Sequence, residues 1–138
     1  MKCTFGKNSQ LNRGLALAGT RFFLVLLTAC KTGNMEHIVS MGQNNNTVTA
    51  QKGDIIHLEL EENPTTGYAW DISMVDSNIL QLQSSDYKLS GGGGIGSGGM
   101  RDMIFIVQNS GSGRLKLENK QRWSGDVYQH FELNVNAQ

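Results

Sequence analysis

From position 55 onward the apolar residues recur at every second position, and that period constrains the chain more than any other feature it has. In Ile55-Ile56-His57-Leu58-Glu59-Leu60-Glu61 the set Ile56, Leu58, Leu60 alternates with His57, Glu59, Glu61. The spacing continues through Tyr68, Trp70, Ile72 and Met74; Leu80 and Leu82; Met103, Phe105 and Val107; Leu115 and Leu117; and Phe131, Leu133 and Val135. A strand points successive side chains to opposite faces, so each set predicts a strand with one face on a core and the other in water. With Thr47-Val48-Thr49 as an edge, about seven short strands are separated by turns rich in Gly, Ser and Asn, and no helix-length amphipathic stretch interrupts them. The predicted fold class is all-β. A sandwich is favoured and a small barrel is the other solution.

The first 30 residues obey a different pattern. Lys2, Lys7, Arg13 and Arg21 are the only charged residues before position 30, and all 12 acidic residues follow it. The apolar run Phe22-Phe23-Leu24-Val25-Leu26-Leu27, closed by Thr28-Ala29, reads as an export signal over residues 1–29. It is far shorter than the roughly 20 residues a spanning helix needs. Leu27-Thr28-Ala29-Cys30 resembles the lipobox of bacterial lipoproteins, which implies acylation of Cys30 and a lipid anchor in the membrane. A plain secretory signal and a buried N-terminal helix are the alternatives. Lys31, where a retention signal would resemble Asp, points to the outer membrane. The expected location is therefore the bacterial cell envelope. Cys3 would leave with the signal, so the mature chain would have no disulfide. Residues 30–46 are polar and aperiodic, ending in Gln43-Asn44-Asn45-Asn46, and predict a flexible tether before a folded domain at 47–138.

Charge excludes some partners. The whole chain carries 12 basic and 12 acidic residues, and the part after residue 29 carries 8 and 12, a net of −4. Nothing here asks for nucleic acid. The simplest expectation for its assembly is a monomer.

Three loops depart from ordinary turn composition. In Asn63-Pro64-Thr65-Thr66-Gly67, Pro64 fixes its own φ, restricts Asn63 to extended geometry, and Gly67 can take a backbone other residues resist. Such a loop either presents Thr65 and Thr66 to a partner in a preset shape or simply joins two strands. The stretch Gly91 to Gly99 contains Gly94-Ile95-Gly96-Ser97-Gly98-Gly99, which formally matches G-x-G-x-x-G. That motif needs a following helix, and a strand follows instead. A loop offering backbone groups to a partner's backbone fits better; a featureless flexible loop is the plain alternative. In Asn119-Lys120-Gln121-Arg122-Trp123-Ser124-Gly125, Trp123 stands outside the alternation. It is either an aromatic anchor for a partner or a lid on the core edge. Trp70, in phase with Tyr68 and Ile72, belongs to the core.

Asn63-Pro64-Thr65-Thr66-Gly67-Tyr68-x-Trp70, then Gly96-x-Gly98-Gly99, then the Trp123 loop resemble the chagasin family of cysteine peptidase inhibitors over about residues 47–138. The resemblance implies an immunoglobulin-like β-sandwich with the three loops side by side at one end. It further implies that Asn63, Pro64, Thr65, Thr66 and Gly67 enter the cleft of a papain-like cysteine peptidase, with Thr65 and Thr66 as the wedge. Gly96, Gly98 and Gly99 would let the second loop lie against the enzyme backbone. Gln121, Arg122 and Trp123 would flank the other side, Trp123 meeting aromatic residues of the enzyme. Two departures bear on potency and target range. Gln121-Arg122-Trp123 stands where relatives carry Arg-Pro-Trp, and Met103 stands near where relatives often have Trp.

Enzyme chemistry finds little support. His37, His57 and His130 form no His-x-x-x-His pair and no Cys-and-His set, so neither metal nor cofactor is expected, and Glu59, Glu61 and Glu62 read as a solvated strand edge. Asn45-Asn46-Thr47 matches a glycosylation acceptor that would matter only outside bacteria. The alternative to an inhibitor is a surface module that recognises a glycan or an envelope partner through the same loops.

Overall fold

The computed structural model describes residues 33–138, apart from residues 93 and 95. The predicted signal segment and Cys30 lie outside the described residues. Eight strands follow in order: β1 (Glu36–Ser40), β2 (Asn46–Ala50), β3 (Ile55–Glu62), β4 (Tyr68–Val75), β5 (Leu80–Leu89), β6 (Gly99–Val107), β7 (Gly111–Gln121) and β8 (Val127–Ala137). They form two four-stranded sheets, ordered β1-β3-β6-β5 and β2-β8-β7-β4. β1 runs parallel to β3 and β2 parallel to β8, while every other pairing is antiparallel. Two separate sheets make the all-β fold a sandwich and not a barrel. Among the described residues the only helical pieces are two short 3-10 turns, and no helix is long and apolar enough to cross a membrane.

The core follows the period-two reading. Ile56, Leu58 and Leu60 of β3 and Met103, Phe105 and Val107 of β6 face Leu115, Leu117, Phe131, Leu133 and Val135 of the second sheet, all fully buried. Trp70 joins them. Each such side chain contributes about 1.5–3 kcal/mol of burial, and in the absence of a described cross-link these contacts hold the two sheets together.

Two predicted core positions are exposed. Met74 follows a break in register between Ile72 and Met74, whereas Leu82 precedes the break in β5 and is uncovered on the edge strand of its sheet. One extra residue in a strand reverses the faces beyond it. Val75 consequently takes the inward place expected of Met74.

The strand count is eight instead of about seven, because part of the predicted tether is folded. Residues 36–40 form β1 on the edge of the first sheet, and a 3-10 turn at Met41–Gln43 carries the chain across to β2 on the second. Only Val39 of β1 is buried, so the segment shows no alternation to read. Its anchor is Asp54, whose carboxylate accepts from the Met35 N–H at 2.9 Å and the Gln51 N–H at 2.8 Å and lies 3.1 Å from His37 Nε2. Burial alone would raise the pKa of Asp54, but the bonds from Gln51, Met35 and His37 outweigh it and hold the carboxyl below its ordinary value.

Register decides where the loops go. β3 ends at Glu62 opposite Gly99, where β6 begins, and β4 begins at Tyr68 opposite Gln121, where β7 ends. The β3–β4, β5–β6 and β7–β8 connections therefore all emerge from one pole of the sandwich.

Candidate functional site

The first loop is built around the side chain of Asn63. Its Oδ1 accepts from the Thr65 N–H at 3.2 Å and from the Thr65 hydroxyl at 2.6 Å. Its backbone carbonyl accepts from the Thr66 N–H at 3.1 Å and the Thr66 hydroxyl at 2.7 Å. Pro64–Thr66 form one 3-10 turn, closed by the Gly67 N–H donating to the Pro64 carbonyl at 3.0 Å. Gly67 sits at φ 82°, in the left-handed region that the sequence anticipated for it. Pro64, Thr65 and Thr66 stand exposed at the tip. Both threonine hydroxyl protons are used within the turn, so outward the hydroxyls can offer only lone pairs.

The other two loops lean on the first. Asn63 Nδ2 donates to the Gly96 carbonyl at 3.3 Å, which joins the glycine loop to it. The Arg122 N–H donates to the Gly67 carbonyl at 3.3 Å, which joins the Trp123 loop from the other side. The Trp123 ring lies directly over Gly67, where a Cβ would fall among the ring atoms. Gly67 thus has two reasons to be glycine, its φ and this contact. Trp123 remains 72% exposed, so it is no lid on the core.

The glycines of the second loop differ in role. Gly96 adopts φ 90° with open space around it. Gly98 lies beside the Glu62 carbonyl and the Asn63 side chain. Gly99 is buried as the first residue of β6, and a side chain there would collide with the Lys88 carbonyl and the Tyr87 ring. Its smallness serves the sheet from within, not the open face the resemblance implied.

The third loop has a brace the sequence did not suggest. Gln121 Oε1 accepts from the Ser124 hydroxyl at 2.7 Å, and Ser124 Oγ accepts from the Asp126 N–H at 3.1 Å. The Gly125 N–H donates to the Gln121 carbonyl at 2.9 Å. Gln121 is therefore an internal strut. Arg122 supplies an N–H that a proline in that place could not.

Beneath the first two loops lies an ion pair. Glu62 is 2% exposed, not part of a solvated edge as its neighbours suggested. Arg101 grips it through Nη2–Oε1 at 2.6 Å and Nε–Oε2 at 3.0 Å, and the Trp70 N–H donates to Oε2 at 2.8 Å. The hydrogen bonding to the Glu62 carboxylate, opposed by burial, raises the pKa of the Arg101 guanidinium above its ordinary value. Arg101 also stacks over Tyr87 at 5.7 Å. A signal was present: Glu62 is in phase with Ile56, Leu58 and Leu60, and Arg101 with Met103, Phe105 and Val107. Two opposite charges on inward faces predict a buried pair once the strands are known to be neighbours.

An open groove of about 700 Å³ borders the crown, lined by Asn63, Thr66, Tyr68, Gly98 and Tyr128 among others. Tyr128 is 69% exposed and packs its ring 5.7 Å from that of Tyr68. Neither tyrosine was anticipated as part of the site, because Tyr68 reads as an ordinary member of the β4 alternation and Tyr128, near the start of β8, carries no signal of its own. Away from the loops, His57, Glu59 and Asp102 bring one ligand atom each within 4.8 Å of the others. The spacing of histidines along the chain gave no hint of this group.

Comparison with known proteins bears on the family and the fold. The family described as "Chagasin family peptidase inhibitor I42" matches residues 49–135. Amoebiasin-1 of Entamoeba histolytica is 30% identical over 98 residues, which cover 69% of this chain and 93% of that protein. Chagasin of Trypanosoma cruzi is 26% identical over 110 residues, covering 73% and 96% respectively. The crystal structure of the cysteine protease inhibitor EhICP2 from Entamoeba histolytica superposes with a TM-score of 0.69 at 21% identity, covering 75% of this chain and 96% of that one, a likeness of fold.

Proposed function

This chain belongs to the chagasin family of peptidase inhibitors, and from that membership we propose that it reversibly occludes the cleft of papain-like cysteine peptidases with its three loops. The observation that carries the reading is the single ridge made by the loops, in which Asn63 bonds to Gly96 on one side and Gly67 carries Trp123 on the other. Thr65 and Thr66 at its crest enter beside the catalytic thiol. The glycine loop and the Trp123 loop then bear on the two walls.

A wedge in such a cleft must not be cut. Thiolate attack needs a carbonyl free to move toward the oxyanion donors of the enzyme. The carbonyls of Asn63 and Pro64 are instead held by the N–H groups of Thr66 and Gly67 inside the turn. Entry therefore fills the site with two of the turn's carbonyls withheld from attack. Because the turn is already shaped by five internal hydrogen bonds and one proline, little ordering is left to be done on binding.

Titration of papain with the purified protein tests the reading. Stoichiometric, reversible inhibition is expected, and absence of inhibition at micromolar concentration would move the protein to the class of glycan or envelope binders. Thr65→Arg, with a bulky charge on the crest, should weaken inhibition by at least tenfold in a folded protein, a loss of about 1.4 kcal/mol or more. An unchanged inhibition constant would remove Thr65 from the cleft.

Export and lipid anchoring form the second part of the proposal. The lipobox Leu27-Thr28-Ala29-Cys30 supports acylation of Cys30 and residence in the cell envelope, with Lys31 favouring the outer membrane. Labelled palmitate should enter the wild-type chain and not Cys30→Ser; equal labelling of both would reject it.

A further inference from the structure

The outer face of the first sheet carries a charge arrangement that the loops do not explain. Register aligns Glu59 of β3 with Asp102 of β6, and Asp102 with Asp86 of β5, so three carboxylates lie side by side across three strands. Directly opposed like charges destabilise a sheet. Glu36 on β1 adds a fourth acid at the same face, 3.0 Å from His57 Nδ1. Against these stands one permanent cation, Lys88, paired with Asp102 Oδ2.

The geometry of His57 is the second, independent observation. Its Nδ1 is tied to the Glu36 carboxylate, which fixes the ring and leaves Nε2 to face inward. Nε2 is shielded from solvent and has no hydrogen-bond partner. It lies 3.8 Å from Glu59 Oε1 and 3.9 Å from Asp102 Oδ1, beyond hydrogen bonding to either. Asp102 is itself buried, with only its Oδ2 taken by Lys88. A shielded imidazole nitrogen without a hydrogen bond and two carboxylate oxygens thus lie within 4.8 Å of one another.

We propose that His57 Nε2, Glu59 Oε1 and Asp102 Oδ1 form a divalent-metal site of the zinc class on the outer face of the first sheet, with Glu36 as the carboxylate that orients the histidine. Four-coordinate zinc with one imidazole and two carboxylates needs ligand atoms about 3.3 Å apart, given bonds of about 2.0–2.1 Å. The 3.8 and 3.9 Å separations from Nε2, and two carboxylate oxygens within 4.8 Å of each other, reach that by closing about 0.5–1.5 Å, a movement that falls to the half-exposed Glu59 side chain. Water would take the fourth position. The carboxylate–histidine–metal order at Glu36 and His57 is the usual support for an imidazole ligand. Lys88 need not move, because it uses the other oxygen of Asp102. The nitrogen and oxygen donor set favours zinc over calcium or magnesium, which take oxygen alone. Such an ion would tie β3 to β6 three residues below the ends from which the first two loops spring.

The test uses the full chain with Cys3→Ser and Cys30→Ser, so that thiols do not compete, titrated with zinc chloride. Calorimetry should show one saturable site per chain, and proton NMR should show the His57 ring signals shifting while those of His37 and His130 stay. Glu36→Gln, an exposed change that spares the ligands, should weaken uptake by about 10–100-fold, the range for a supporting carboxylate, and Glu59→Gln by at least as much. Calcium chloride should give no saturable uptake. Absence of saturable zinc binding, binding that leaves the His57 signals unmoved, or affinity undiminished by Glu59→Gln would each overturn the proposal. The readouts are independent of peptidase inhibition, so the site stands or falls apart from the function proposed above.

Discussion

The first and third loops reach rigidity by different chemistry. In Asn63–Gly67 the backbone is restrained covalently at Pro64, and one side chain, that of Asn63, gathers the threonines around itself. In Gln121–Asp126 no proline is present, and a relay from Gln121 through Ser124 to the Asp126 N–H holds the turn. The first loop also stands on a buried ion pair, whereas the third stands on the antiparallel ends of β7 and β8. Hydrogen bonds at an exposed turn compete with water, so their net contribution is about 0.5–1.5 kcal/mol each. The contrast suggests a fixed wedge flanked by an adjustable arm.

The largest expected effect comes from removing the support of the wedge. Glu62→Ala leaves Arg101 charged and unpaired in a buried place, and loss of one partner of such a pair typically costs about 3–5 kcal/mol. Urea unfolding should show that loss, and a change below about 1 kcal/mol would mean that water reaches Arg101 freely. Gly67→Ala strikes the joint between the two loops. The left-handed backbone costs about 1–3 kcal/mol for a residue with a side chain, and the new Cβ displaces Trp123. Papain inhibition should weaken by about 100-fold, a loss near 2.7 kcal/mol, while the Trp123 fluorescence maximum shifts.

Trp123→Ala tests the arm alone. A binding loss of roughly 1–3 kcal/mol is expected for an exposed aromatic anchor, with no change in unfolding midpoint. A loss below about 0.3 kcal/mol would assign the ring to covering Gly67 only. Arg122→Pro is the smallest. Proline would add rigidity of about 0.4–1 kcal/mol but delete the bond to the Gly67 carbonyl, about 0.5–1.5 kcal/mol. Inhibition should move by less than about fivefold. A gain of more than tenfold would show that the arm is too loose as it stands.

What the sequence disclosed depended on the range over which each signal acts. The strands were legible because alternation is local, and loop one was legible because Asn63, Pro64 and Gly67 act within five residues. The bulge in β4 was not legible, so Met74 appeared on the core side, and nothing local marked β5 as the edge strand that leaves Leu82 uncovered. β1 was missed because an edge strand burying only Val39 carries almost no pattern. Glu62 was misread through its company, Glu59 and Glu61, although its phase put it inside. Its partner Arg101 lies 39 residues away, and only the β3–β6 register brings them together. The same holds for the bond from Asn63 to Gly96 and for the Trp123 ring over Gly67, which depend on three connections sharing one pole.

The parallel pairing of β1 with β3 also fixes where the described chain begins. Glu36 lies beside Ile55, at the start of the strand that ends under the wedge. The described chain thus enters at the pole opposite the crown, and β8 brings the chain back to that pole at Ala137, beside Ala50. A molecule gripped there, as by a lipid upstream of Gly33, would carry its loops outward like a key held by the bow, free to meet an enzyme approaching from the surroundings.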